Sequence, residues 1–319
     1  MKRLPLVLAA LALLGLGVGV STVLGQGETT GTATFTNVVT YTIPTVTQTV
    51  TVTIAGTDTT ATAPTTTTTP PTCSSQPFCG DYEPGNFSQW SGHQWTNSDQ
   101  GYTCAQLGNS AASIVSSPVA QGGDAAKFTV YSNNNGAGGC STSTRSEVYT
   151  SAANTGGNPG EEHYYGWWTM LPASDSGRFV TNTSDWNLLT QFHGPGSTSG
   201  EVVVGVDATS SATSPALYFK VDSGTLKQRI VNPIAWGHWY HFVLHVKWST
   251  SASAGLVQLY VDGSEVVPLT AQQTLYNVSG ASAYWKQGLY GANTGDSTGN
   301  IVYHDGACRA DTYADAAAC

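Results

Sequence analysis

Alternation between apolar and polar residues, the period of a β-strand, recurs along the chain after residue 73. In GHWYHFVLHVKWS every second residue from Tyr240 to Trp248 is apolar, as in a strand with one buried face. LVQLYVDGSEVVPL carries two apolar runs around Asp262-Gly263, the dipeptide of a tight hairpin. EVVVGVD and ALYFKVD are further strand candidates. Many short strands with turn signals predict an all-β fold, a two-sheet β-jelly-roll sandwich.

The first 72 residues read differently and divide into two segments. Residues 1–26 have a Lys-Arg start, a long apolar run and small residues at the end, the pattern of a secretory signal peptide. The apolar run also has the length of an N-terminal membrane anchor, about 20 residues, but the small residues at its end favour cleavage. Residues 27–72 are rich in Thr and Pro, which indicates a stalk or linker, although VVTYTIPTVTQTVTVTIAG leaves a small β segment open. Residues 73–319 have the size of one large all-β domain.

All six cysteines lie in this last segment, and an even number behind a secretory signal indicates disulfides. Many pairings are possible, but short separations favour two pairs and leave a third: Cys73–Cys79, Cys308–Cys319 and Cys104–Cys140. No CxxC pair or His/Cys cluster predicts zinc. No spaced Asp run identifies a calcium site. We therefore expect no cofactor and no metal at the functional site, with a structural calcium ion left open.

The formal net charge is −9, and only 10% of the residues are charged. This balance argues against nucleic acid as a partner. We expect a secreted, extracellular monomer whose mature domain has no membrane contact. It would be tethered to the cell surface only if the N-terminal segment is retained. An acidic ligand would require the few cations to gather locally.

Candidate chemistry lies on three predicted strands that carry polar side chains at every second position, where a core face would be apolar. STRSEVYT carries Arg145, Glu147 and Tyr149. NLLTQFHG carries Asn187, Gln191 and His193, which share their face with Leu189. YWKQGLYGAN carries Tyr284, Lys286 and Tyr290. One such strand is typical of a solvated outer face. Three of them in a chain of so few charges favour a shared functional face. Taken singly, His193 also fits a structural histidine at a turn, and the tyrosines fit core aromatics.

In chain order RSE, QFH and YWKQGLY resemble the R-[ST]-E, Q-x-H and Y-x-K-x-G-x-Y motifs of jelly-roll polysaccharide lyases. The wider context, including DYEPGNFSQW and YYGWWTMLP, resembles the heparin-lyase-I-like and glucuronan-lyase group. The resemblance spans Cys79 to Asp305 and implies a concanavalin-like jelly roll with a concave substrate groove. Two departures weigh against alginate as the substrate. Tyr149 stands where alginate lyases have a second Arg, and Gly291-Ala292 stands where they have Asn-Gln.

The resemblance implies β-elimination in a uronic-acid-containing polysaccharide that is glucuronan-, alginate- or heparin-like. Arg145 and Gln191 would neutralise the carboxylate, which stabilises the enolate-like transition state. His193 and Tyr290 would supply the base and the acid. Tyr290 alone can serve both roles in glucuronate or mannuronate, where H5 and O4 share one side of the ring. In guluronate or iduronate, His193 would be the base.

Five further residues are expected to bind the substrate: Lys286, Glu147, Asn187, Tyr284 and Tyr149. Lys286 would hold the site's positive potential. Because it lies about 13 Å from Tyr290 along the strand, its side chain must lean toward the site or act at a neighbouring subsite. Glu147 would orient Arg145 or Lys286. We expect the catalytic side chains on neighbouring strands of one sheet.

Two other classes of protein remain as alternatives. A glycoside hydrolase needs two carboxylates about 5 to 10 Å apart, but the E-x-D-x-x-E strand signature is absent and Glu161-Glu162 lies in a predicted Gly-Pro loop. A non-catalytic, lectin-like carbohydrate-binding module on a stalk would keep the aromatic residues and lose the His, Tyr and Arg constellation. The chain keeps that constellation, which favours the lyase.

Overall fold

The computed structural model describes nine segments, residues 35–43, 46–54, 73–95, 112–130, 143–176, 187–195, 200–207, 215–292 and 300–319. They fall into two compact units, Met1–Thr67 and Thr68–Cys319. The predicted signal peptide or anchor, the Thr/Pro tract after residue 54, and Cys104 and Cys140 lie outside the described residues. No helix in the described segments is long and apolar enough to cross a membrane.

The first unit contains an antiparallel hairpin of two strands, β1 (Phe35–Ile43) and β2 (Val46–Ile54). It coincides with the β segment that the sequence left open within the predicted stalk.

The second unit is built almost entirely from strands. They are β3 (Phe78–Gly80), β4 (Gly92–Trp95), β5 (Ala112–Val115), β6 (Ala125–Val130), β7 (Ser143–Tyr149), β8 (Glu162–Met170), β9 (Asn187–His193), β10 (Val202–Asp207), β11 (Ala216–Val221), β12 (Lys227–Val231), β13 (Trp239–Lys247), β14 (Leu256–Val261), β15 (Ser264–Ala271), β16 (Tyr284–Ala292) and β17 (Asn300–Ala310). The described helices are α1 (Ala152–Thr155), α2 (Tyr313–Ala317) and the 3-10 turns Cys73–Ser75 and Ala173–Asp175.

These strands form two antiparallel sheets in the described part of the unit. One has the order β12-β11-β10-β9-β16-β7-β4, and the other has the order β15-β14-β13-β8-β17-β6-β5, with β3 paired to β17. Chain order and spatial order diverge at the centres, where β16 lies between β9 and β7 and β17 lies between β8 and β6. The predicted all-β, two-sheet sandwich is confirmed.

The core between the sheets follows the alternation in the sequence. The five apolar side chains predicted to share one face of β13 are all in the core, namely Tyr240, Phe242, Leu244, Val246 and Trp248. On the facing sheet, Phe192 of β9 stacks on Trp285 of β16 with ring centroids 5.5 Å apart. Because side chains alternate along a strand, the neighbours of these two aromatics point away from the core.

Two of the predicted disulfides are confirmed, Cys73–Cys79 and Cys308–Cys319. The second joins β17 to the last residue of the chain, just beyond α2. Both lie on the eight-stranded sheet's side of the unit, where Cys79 on β3 pairs with Cys308 on β17.

A β-bulge interrupts the alternation in β9. The register against β10 shifts by one residue between Thr190 and Leu188, which leaves Leu189 as the extra residue. Leu189 is in the core, whereas Leu188 packs against Tyr290 on the other face. The prediction that Leu189 and Asn187 share a face with Gln191 and His193 is therefore wrong, because a bulge reverses the phase of all residues on one side of it.

A second irregularity lies in β16 at Gly288, whose φ is +142°. A Cβ at this position would lie 2.1 Å from the carbonyl oxygen of Ser146 on β7. The carbonyl of Gly288 accepts a hydrogen bond from the buried His304 of β17, 3.2 Å away. The glycine therefore allows β16 and β7 to stay in close contact where β16 departs from regular strand geometry.

We expect Gly288→Ala to lower the free energy of unfolding by more than the ~1–3 kcal/mol that backbone strain alone costs, because the new methyl group also meets backbone. Gly280→Ala is the matched control, since Gly280 has φ +73° and no atom within 4 Å of its ideal Cβ. Denaturant unfolding of both variants measures the difference. Equal losses would show that the close approach at Gly288 contributes nothing.

Candidate active site

The outward face of the seven-stranded sheet at β7, β9 and β16, called here the site face, brings the predicted side chains together. Across the strands, Tyr290 lies opposite Arg145, Lys286 opposite Gln191, and Tyr284 opposite His193. The five residues expected around the reacting bond thus lie on adjacent strands, namely Arg145, Gln191, His193, Lys286 and Tyr290. Of the predicted substrate-binding residues, Glu147, Tyr149, Tyr284 and Lys286 lie on this face. Asn187 does not lie on this face. It pairs with Gly291, the neighbour of Tyr290, whose position in the strand alternation is on the other face.

Glu147 is the centre of a buried polar cluster. Its side chain is 2% exposed, like that of Lys286, whose Nζ lies 2.6 Å from Glu147 Oε2. Gln191 Nε2 donates to Glu147 Oε1 at 2.5 Å. The sequence analysis expected Glu147 to orient Arg145 or Lys286, and the structure shows the ion pair with Lys286. Burial lowers the pKa of Lys286 and the adjacent Glu147 opposes this shift, so the pair carries little net charge toward solvent.

Arg145 supplies the more accessible positive charge. Its guanidinium lies 4.0 Å from the centroid of the Tyr290 ring, and its Nη1 donates to Gln94 Oε1 at 3.1 Å. Within the described segments no carboxylate forms an ion pair with it. Lys286 Nζ is 6.0 Å from the same tyrosine ring, which shows the lean that the strand spacing required. Gln94, on the edge strand β4, was missed because nothing in its local sequence marks it.

His193 is half-buried, and its ring centroid lies 5.5 Å from that of Tyr284. Its Nδ1 atom is buried and has no hydrogen-bond partner among the described residues. Burial lowers the pKa of His193, and Lys286 and Arg145 lower it further, while Glu147 and the backbone of Gly194 oppose them. A lowered pKa keeps the imidazole neutral near pH 7, the form that accepts a proton.

Tyr284 and Tyr149 border a cavity of about 400 Å³ that is also lined by Gln94, Thr150, Ser151 and Ala152. The two rings lie 6.2 Å apart in an edge-to-face arrangement. Burial raises the pKa of Tyr284, and Glu147 and Glu201 raise it further. The cavity thus offers hydroxyl and amide groups that can form hydrogen bonds with a ligand.

Glu201, just before β10, was also missed by the sequence analysis. Its side chain is almost fully buried, and burial raises its pKa to about 8. The only signal in the sequence was a carboxyl group directly before the apolar run VVVGV, which reads equally well as a loop residue.

The described residues offer no convincing metal centre. The one group with suitable geometry is Cys73, Cys79 and Asp81, and its two sulfur atoms are joined in a disulfide, so they are not thiolate ligands. The sequence analysis also noted the adjacent carboxylates Glu161-Glu162. Glu162 begins β8 rather than lying in a loop, and it pairs with His245 and Lys247 at 2.9 and 3.3 Å.

Three solved structures resemble the fold to different degrees. The endo-beta-1,4-glucuronan lyase from the fungus Trichoderma reesei is 22% identical, covers 76% of this chain and 98% of its own, and has a TM-score of 0.50. An alginate lyase Aly36B mutant in complex with alginate trisaccharide is 16% identical, with 59% and 82% coverage and a TM-score of 0.39. The catalytic domain of a glycoside hydrolase family 131 protein from Coprinopsis cinerea is 13% identical, with 75% and 95% coverage and a TM-score of 0.48. The first of these supports the jelly-roll fold.

No curated protein sequence matches the chain significantly. Residues 82–307, which include the whole site face, match the sequence model of the polysaccharide lyase family. The match extends over more than half of the chain and agrees with the resemblance carried by the three motifs. The chain therefore belongs to the polysaccharide lyase family.

Proposed function

We propose that this polysaccharide lyase cleaves a uronic-acid-containing polysaccharide by β-elimination outside the cell. The observation that carries the proposal is the accessible guanidinium of Arg145 beside a neutral His193 and a tyrosine, all on one face. A glycoside hydrolase would instead need two free carboxylates, whereas Glu147 on this face is held by Lys286.

Arg145 and Gln191 bind the uronate carboxylate in this proposal. Charge-assisted hydrogen bonds from a guanidinium neutralise a carboxylate and stabilise the enolate-like state that forms when C5 loses its proton. Gln191 gives one amide hydrogen to Glu147, and a side-chain amide carries two. The second remains for the substrate, and Glu147 with Lys286 fixes its direction.

The elimination itself moves one proton off C5 and one onto O4. The base takes the C5 proton, the electron pair forms the C4–C5 double bond, and the C4–O4 bond breaks as O4 receives a proton. His193, being neutral, is the base for epimers in which H5 and O4 lie on opposite sides. Tyr290 gives the proton to O4, and for glucuronate or mannuronate it serves as both base and acid.

Two tyrosines compete for this role, and their surroundings distinguish them. Tyr284 lies nearer to His193, but burial, Glu147 and Glu201 raise its pKa, which opposes loss of its proton. Tyr290 has the guanidinium of Arg145 over its ring, and the other nearby cation, Lys286, is paired with Glu147. The guanidinium can stabilise the negative charge that develops on the hydroxyl oxygen while it gives its proton to O4. We therefore assign proton transfer to Tyr290 and sugar binding to Tyr284 and Tyr149.

The polymer to test first is a β-1,4-glucuronan. The Trichoderma reesei enzyme of similar fold is a glucuronan lyase, and Tyr149 in place of a second Arg weighs against alginate. Secretion is supported by the disulfides Cys73–Cys79 and Cys308–Cys319, which persist in oxidising compartments, and by the signal-like residues 1–26.

We expect incubation with glucuronan, alginate blocks and heparin-like polymers to yield, on at least one of them, the ultraviolet absorbance of an unsaturated uronate. Only elimination creates that conjugated double bond. New reducing ends without absorbance would instead indicate hydrolysis. Binding without either product would indicate a lectin-like module, and both outcomes would overturn the proposal.

A further inference from the structure

Glu201 lies beside His193 on the side of the site opposite to Tyr284. The last pair of β9 and β10 is Phe192 with Val202, and His193 and Glu201 are the next residues along the two chains. Phe192 and Val202 both point into the core. Alternation therefore directs Glu201 and His193 to the site face.

The carboxyl group of Glu201 is held against the backbone that follows His193. The backbone N–H groups of Gly194 and of Glu201 itself lower its pKa, against the larger effect of burial. A Cβ on Gly194 would lie 2.5 Å from Glu201 Oε1, so only a glycine leaves room for this approach. The carboxyl thus fixes the turn from which the imidazole projects.

Two buried polar atoms in this region have no hydrogen-bond partner among the described residues: Glu201 Oε2 and His193 Nδ1. A buried polar atom left unpaired costs about 1–3 kcal/mol, so two of them on facing residues of adjacent strands call for an explanation. A hydrogen bond from Nδ1–H to Oε2, direct or through one water, satisfies both. It also leaves the Nε2 lone pair free to accept a proton.

We propose that Glu201 is a positioning residue of this lyase, which orients the imidazole of His193 from β10 while Tyr284 borders it from β16. The proposal rests on the elimination mechanism proposed above, and it adds a residue outside the three sequence motifs.

Glu201 performs this role without adding negative charge to a site for an anionic polymer. With a pKa of about 8, the carboxyl group is protonated at neutral pH. Above that pH it ionises, and the charge repels the uronate carboxylate. The titratable and charged groups around it are His193 on β9, Tyr284 on β16 and the Lys220–Asp222 ion pair at the end of β11, where Asp222 N–H donates to the Glu201 carbonyl.

The test compares Glu201→Leu with Glu201→Gln on the polymer that gives the highest wild-type activity. Leucine removes the polar group, and we expect kcat to fall by about 10–100-fold, the loss typical when an orienting partner of a histidine is removed. Glutamine keeps an acceptor oxygen and no charge, so kcat at neutral pH should stay close to wild type. Above pH 8 the wild type should lose substrate affinity while Glu201→Gln does not. Glu162→Gln, on the other sheet, is the control and should behave as wild type.

A second readout needs no substrate: the titration of His193 followed by NMR in the folded protein. We expect Glu201→Leu to change the pKa and tautomer of His193, and Glu201→Gln to preserve the tautomer. Wild-type kcat and His193 titration in Glu201→Leu would overturn the inference, as would equal impairment of the two variants. If Glu201→Leu does not fold, the comparison of Glu201→Gln with the wild type still tests the inference. An equal loss of substrate affinity above pH 8 in both proteins would overturn it. An inactive wild type with altered His193 titration in the variant would instead contradict the proposed function alone.

Discussion

Tyr290→Phe should lower kcat by about 10²–10⁴-fold, the usual contribution of a general acid or base. The change removes the hydroxyl that transfers the proton and keeps the ring that lies under the Arg145 guanidinium. The fold and the substrate affinity should therefore change little. Initial rates of product absorbance and melting temperatures measure both effects on the best polymer of the panel.

Tyr284→Phe is the matched control, because it removes the same group from the same strand and face. We expect a much smaller loss, confined to a hydrogen bond to a bound sugar. If Tyr284→Phe is inactive while Tyr290→Phe retains activity, the proton donor is the tyrosine beside His193. If neither variant is impaired, no tyrosine transfers the proton.

Glu147→Ala should cost about 3–5 kcal/mol of stability, since it leaves the ammonium of Lys286 buried without its partner. Glu162→Ala is a suitable comparison, because Glu162 also pairs with a lysine but is 40% exposed against 2% for Glu147. An exposed pair contributes only about 0–1 kcal/mol. Denaturant unfolding separates the two, and similar losses would contradict the importance of burial.

A double variant separates stability from activity at the same position. Replacing Glu147 by Leu and Lys286 by Met removes both charges and should restore much of the stability lost in Glu147→Ala. Gln191 would then lose the acceptor that orients its amide, so the lyase activity should stay low. A double variant that is both stable and fully active would show that the buried pair has no part in substrate binding.

Strand positions and the inner faces followed from the sequence because burial imposes a period of two on side chains, as in the run from Tyr240 to Trp248. The bulge at Leu189 did not follow, since one extra residue changes the phase without changing the composition. The candidate site was partly predictable, because three motifs carry Arg145, His193 and Tyr290, which the fold brings to one face. Gln94 and Glu201 were not predictable, because each comes from a part of the chain whose position in space no local pattern reports.

The order of the strands has a consequence for how the enzyme comes to be active. The centres of the two sheets are filled by β16 and β17, which come last along the chain among the described strands. Before β16 is made, β7 and β9 lack the strand that pairs with both of them, and unpaired strand edges favour aggregation. The ion pair of Glu147 and Lys286 joins residues 139 positions apart, and such non-local contacts form slowly. Lys286 and Tyr290 enter only with β16, so a partly synthesised chain has no complete site face. Under the proposed function, a chain exported unfolded would gain activity only after the whole domain has folded.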